Sequence, residues 1–178
     1  MKRALMLSVV GLLVLFAAPM AYAHCEVPCG IYDDPMRADL IAEHARTIEK
    51  SMNQIKELRE DEDKNYNQLV RWINNKEQHA RKLQEIVWQY FMTQRIKPAE
   101  GSGKERQKYV REVTLLHQML VEAMKCKQTT DLKHVENLRT LLAAFRKSYF
   151  GETGEGAEKM EHEHEGSATK HQGSGHRH

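Results

Sequence analysis

The densest chemistry in the chain lies in His24-Cys25-Glu26-Val27-Pro28-Cys29-Gly30-Ile31-Tyr32-Asp33. Two thiols with an imidazole beside them are soft and borderline ligands for a transition metal. If cleavage makes His24 the first residue, it offers a free α-amine as well as its ring, and the amide nitrogen joining it to Cys25 can deprotonate beneath a metal. The amine and amide nitrogens then close one chelate ring, the amide nitrogen and the Cys25 sulfur close a second, and the Cys29 sulfur fills the fourth corner of a plane. Two nitrogens and two thiolates in a plane suit Ni(II) or Cu(II), whereas zinc prefers a tetrahedron. The His24 imidazole is left to approach along the axis. Pro28 fixes φ and Gly30 frees it, so Cys25 and Cys29 are set up as a hook and not as a helical i, i+4 pair. A disulfide between the two cysteines is the alternative for an exported protein.

His24-Cys25-x-x-Pro28-Cys29-Gly30-x-Tyr32-Asp33 resembles the nickel hook of the nickel-containing superoxide dismutase family, in which the pattern also begins at the mature first residue. The resemblance implies a nickel ion cycling between Ni(II) and Ni(III), held by the counterparts of the His24 amine and ring, the Cys25 amide and sulfur, and the Cys29 sulfur. It implies that Tyr32 stands over the open face, guiding substrate and water, and that Pro28 follows a cis bond. The reaction implied turns two superoxide ions and two protons into dioxygen and hydrogen peroxide. Thiolates and an anionic amide fit that chemistry, because they donate charge and stabilise the higher oxidation state. Lys76-Glu77-Gln78 and Trp88-Gln89-Tyr90-Phe91 are similar to family landmarks on the second helix, so the likeness covers about His24 to Phe150. The family holds the axial imidazole through a carboxylate on the first helix backed by an arginine. Here Asp39 and Glu43 flank the expected register and His79 stands at the arginine's place, so that shell has no assignment from the sequence. Glu26 takes the place of a shorter acid, away from the ligand atoms.

The hook depends on what precedes it. Lys2 and Arg3, an apolar run from Leu5 to about Ala18, and Ala21 and Ala23 around Tyr22 form the pattern of a cleaved secretory signal over residues 1–23. The expectation is an exported protein, periplasmic or secreted, with no stable membrane anchor after cleavage. The apolar run is short for a membrane span, which needs about 20 residues. One cleavage would then both export the chain and create a ligand.

The elements that must carry the hook are helical. Asp33-Asp34-Pro35 predicts a helix start with an Asp cap and Pro at the first helical position. Leu40, Ile41, Ala45, Ile48, Met52, Ile55 and Leu58 follow at helical spacing. A second helix is expected from about Asn65 to Thr93, with Tyr66, Leu69, Val70, Ile73, Ala80, Leu83, Val87 and Tyr90 as its apolar stripe. Lys97 to Gly103 reads as a connector. A third helix, about Lys104 to Lys127, carries Val110, Val113, Leu116, Leu120 and Ala123. Thr129 to Asp131 can cap a fourth, with Val135, Leu138, Leu142, Phe145 and Tyr149, ending before Gly151. No segment alternates as a strand does. The fold class is therefore all-α: an up-down-up-down four-helix bundle over residues 34–150, behind a hook at 24–33. A homohexamer is implied by the resemblance alone.

Residues 151–178 are rich in Gly, Glu, Lys, Ser and His, and hold five of the ten histidines, so this tail is expected to be disordered and open to weak metal capture. The formal charge of +2 vanishes with Lys2 and Arg3, and no basic bias points to nucleic acid. Three cysteines exclude a fully paired disulfide framework. Cys126 reads as a buried or partly exposed thiol, and His44, His117 and His134 as satisfied or surface histidines. The rival functions are a non-catalytic exported nickel carrier and a helical envelope protein with a Cys25–Cys29 disulfide.

Overall fold

The computed structural model describes residues 26–60 and 65–151. The expected signal, His24, Cys25 and the tail after Gly151 lie outside the described residues. Within them the chain is four helices and no strand: α1 (Asp34–Glu60), α2 (Tyr66–Glu85), α3 (Lys104–Gln128) and α4 (Lys133–Phe150). α2 runs on without a break into a π-helical stretch, Ile86–Arg95. None of these helices is long and apolar enough to cross a membrane.

α1 packs against α2 and α4, and α3 packs against the same two, closing a four-helix bundle. The side chains fix the directions. Asp34 at the start of α1 meets Arg95 at the end of the π-helical stretch and Tyr149 at the end of α4. Glu122 near the end of α3 meets His134 at the start of α4. Each helix is thus antiparallel to the next, as short connections require.

Local chemistry sets the helix ends. Asp33 caps α1, its carboxylate accepting the Met36 N–H at 3.0 Å. Asp34 therefore takes the first helical position and Pro35 the second, one later than the sequence suggests. Asn65 caps α2 by accepting the Gln68 N–H at 3.1 Å. At the other end of the chain, Gly151 stops α4 at φ +84°, a conformation that a Cβ disfavours.

The stripes of α1 and α4 bury as expected, with Ile41, Ile48, Met52, Val135 and Phe145 fully inside. The stripe of α2 is rotated in its first turns. Tyr66, Val70 and Ile73 are exposed and Leu69 is only partly buried, whereas Lys76 is buried; from Ala80 through Leu83, Val87 and Tyr90 the expected stripe lies in the core. The ammonium of Lys76 donates to the carbonyls of Cys126, Lys127 and Thr129, closing the C-terminus of α3. On α3, Val110 is exposed while Met119 and Cys126 join Leu116 and Ala123 in the core. Phe91 seals the hook-bearing end, edge-on to Phe145 at 5.0 Å and to Tyr149 at 5.7 Å; such pairs add about 0.5–1.5 kcal/mol each beyond burial.

Candidate metal centre

The described part of the hook, residues 26–32, belongs to a different unit from the helices, which begin with Asp33. Val27–Pro28 is a cis peptide bond, as the resemblance implies. The Ile31 N–H donates to the Pro28 carbonyl at 3.3 Å, closing a turn with Gly30 in its third position at φ +79°. A type II turn needs positive φ there. A Cβ on Gly30 would meet nothing within 4 Å, so backbone conformation alone asks for glycine. The turn leaves Cys29 as an exposed free thiol. Tyr32 is 39 % exposed, and Val27 and Ile31 on either side of the turn are 81 % exposed. An open sulfur donor on a fixed turn is what a metal-binding loop has to present, and soft sulfur is a fitting ligand for a borderline metal such as nickel.

Two of the expected ligands, His24 and Cys25, fall outside the described residues. Among those described, no group of three or more His, Cys, Asp or Glu could hold a metal ion.

The first turn of the bundle carries a second constellation. Asp34, two residues beyond Tyr32 in the chain, accepts hydrogen bonds from Tyr90 Oη at 2.6 Å, Tyr149 Oη at 2.7 Å, and Arg95 Nε and Nη2, each at 2.8 Å. Burial alone would raise the Asp34 carboxyl, but the bonds from Arg95, Tyr90 and Tyr149 together hold it below its ordinary value. Burial and the carboxylate beside it push the Tyr90 hydroxyl up to about 12 and raise that of Tyr149. Arg95 is held more firmly charged by its bonds to Asp34. Arg37 completes the cluster by laying its guanidinium over the Tyr90 ring at 5.1 Å.

The π-helical turn makes this convergence possible. In an α-helix, residues five apart point roughly 140° away from each other. Bonding from i to i+5 brings them over one another, and Tyr90 and Arg95 are five apart. The wide turn is also buttressed by side chains: Thr93 Oγ1 donates to the Trp88 carbonyl and Gln94 Nε2 to that of Gln89, both five residues back. Apolar periodicity places Tyr90 on the core stripe but gives no sign of Arg95. The cue in the sequence is the acid pair Asp33-Asp34, one carboxylate to cap the helix and one to spare.

Asp39 and His79, two of the residues around the register of the axial support, have other partners. Asp39 accepts from Arg146 Nη2 at 2.6 Å, and His79 meets His44 with its ring. Both of these rings are held below the ordinary histidine range by burial first, with Lys82 adding to it and Glu43 opposing. His134 is satisfied as expected, its Nδ1 2.7 Å from Glu122. Cys126 is fully buried, and its thiol is pushed up to about 12 by burial and the Glu122 charge.

The description of one protein-family model, nickel-containing superoxide dismutase, fits the chain over residues 19–153. No curated protein and no solved structure matches it.

Proposed function

The chain belongs to the nickel-containing superoxide dismutase family, an oxidoreductase with nickel as cofactor and superoxide as substrate, and we propose that residues 24–33 hold its metal. In this reading His24 contributes its α-amine and ring, Cys25 its amide nitrogen and sulfur, and Cys29 its sulfur. The supporting observation is the exposed Cys29 thiol on a turn shaped by cis Pro28 and Gly30, inside the matched span.

When bound, nickel supplies a one-electron couple between Ni(II) and Ni(III), against which one superoxide is oxidised to dioxygen and the next reduced to hydrogen peroxide. The chain's own residues do the rest. The turn at Pro28–Ile31 keeps the Cys29 sulfur outward, where a ligand of two atoms can reach its surroundings. Tyr32 offers a hydroxyl that orients superoxide or water by hydrogen bonding and limits what larger groups approach. The peroxide product needs two protons, and a hydroxyl at the edge of an open site can pass them from solvent. Asp34 stays ionised and locked among Arg95, Tyr90 and Tyr149, so it fixes the chain just after the hook and takes no proton itself.

Removal of residues 1–23 by signal cleavage would place the enzyme outside the cytoplasm and expose the His24 amine in the same event. Assembly into a homohexamer is part of the proposal and rests on the family resemblance; Tyr66, Val70 and Ile73, an exposed apolar stripe on α2 at 67, 54 and 38 % exposure, offer a surface for a neighbouring subunit.

The deciding experiment compares nickel-loaded protein beginning at His24 with the same protein carrying one added N-terminal residue. Dismutation by the first alone supports the amine as a ligand. Equal dismutation by both removes it from the site, and bound nickel without turnover in either returns the carrier reading.

A further inference from the structure

Apart from the hook, the first two helices bring together another pair of metal-ligating side chains. His44 on α1 and His79 on α2 are 35 positions apart in sequence, with their Nδ1 atoms 3.1 Å apart. His44 is buried at 8 % exposure and His79 is half-buried, so the pair opens to solvent on the His79 side.

A separation of 3.1 Å suits a hydrogen bond, and it also suits two ligands of one ion. Nitrogens about 2.0–2.1 Å from a metal stand about 2.9 Å apart at a right angle and about 3.4 Å apart at the tetrahedral angle. A straight N–H···N bond of this length would set the ring centroids about 5.4 Å apart. They are 5.0 Å apart with the planes at 74°, so the contact is bent from straight, and the same Nδ1–Nδ1 distance lets both nitrogens serve one ion.

We propose that His44 and His79 form a second, labile metal site, taking a borderline divalent cation such as Zn(II) through both Nδ1 atoms. Imidazole is a preferred ligand for that class of ion. Each ring is neutral and carries one proton, so the ring that holds it on Nδ1 moves it to Nε2, and coordination releases none. No third His, Cys, Asp or Glu among the described residues completes the set, which leaves the remaining positions to water and makes the ion exchangeable. Glu43 and Lys82, the charged groups that act on the pair, oppose each other, so neither bars a cation.

The test adds Zn(II) to the protein beginning at His24 and running to His178, with nickel already loaded and reduced, and follows the histidine ring nitrogens by 15N NMR. The Nδ1 signals of His44 and His79 should shift together and saturate. His79→Gln should abolish the His44 shift, lower bound zinc by one ion per chain, and remove the rise in Tm that zinc gives the parent. If the His44 and His79 signals hold still while the histidines of residues 151–178 take up the zinc, the proposal is overturned. Should His79→Gln fail to fold, the titration of the parent protein decides alone.

Discussion

Arg95 reaches Asp34 across 61 positions of sequence and binds it side-on, Nε and Nη2 each 2.8 Å from a carboxylate oxygen. The pair joins the first residue of α1 to the last of the π-helical stretch, and two tyrosine hydroxyls complete the carboxylate's shell.

Asp34→Ala should lower stability by about 2–4 kcal/mol, because it strands a guanidinium and two hydroxyls in a mostly buried place. Arg95→Ala should cost about as much, and the double variant clearly less than the sum. Urea unfolding of the four proteins measures this; additive costs would show that the pair does not act as a unit.

The same knot sets both pH limbs. The folded Asp34 carboxyl lies below its ordinary 3.8, so its contribution is full above that pH and fades as pH falls toward the folded value. The Tyr90 hydroxyl is raised from 10 to about 12, so its contribution is full below pH 10 and is lost as pH climbs through 12. Asp34→Asn should flatten the acid limb and Tyr90→Phe the alkaline one in a plot of unfolding free energy against pH.

The thiols should part company. Cys29 is exposed and should react at once with a disulfide reagent in metal-free protein, whereas Cys126, fully buried with its thiol pushed up to about 12, should react only on unfolding. Cys29→Ser should abolish nickel retention and dismutation while moving bundle stability by less than about 0.5 kcal/mol. A large loss of bundle stability in that variant would mean that the turn does more than present a ligand.

Gly30→Ala meets no steric obstacle, yet asks alanine to hold φ +79°, at a cost of about 1–2 kcal/mol. Nickel affinity should fall about 5- to 30-fold, that energy expressed in the loop, with the melting of the bundle unchanged. Competition with a chelator reads the first and a thermal scan the second.

The family and the part of the hook within the described residues were legible because residue types, spacing and order are read locally: the resemblance implied the cis bond before Pro28, and Gly30 sits at the positive φ that a turn asks of glycine. The helices were legible from 3.6-residue periodicity, with α1 and α4 in the right phase. α2 and α3 were in phase over most of their length, with Ala80, Leu83, Val87, Leu116 and Ala123 in the core. They missed at Tyr66, Val70, Ile73 and Val110, which are exposed, while Lys76, Glu112 and Glu122 are buried polar residues that an apolar count assigns to the outside. Asp34 with Arg95, and His44 with His79, were hidden for another reason. Each pair is made by packing between helices, and the first also depends on a wide turn that α periodicity cannot anticipate.

The shell of Asp34 carries an order of assembly within it. Its partners lie 56, 61 and 115 positions downstream, so a growing chain exposes the carboxylate long before Tyr149 is made. Contacts of such long separation form late. Arg95 and Tyr90 can hold the carboxylate once α2 and its wide turn are made, and Tyr149 completes the shell only when the last helix docks, so a chain truncated ahead of Tyr149 would keep the first turn of α1 on two partners in place of three.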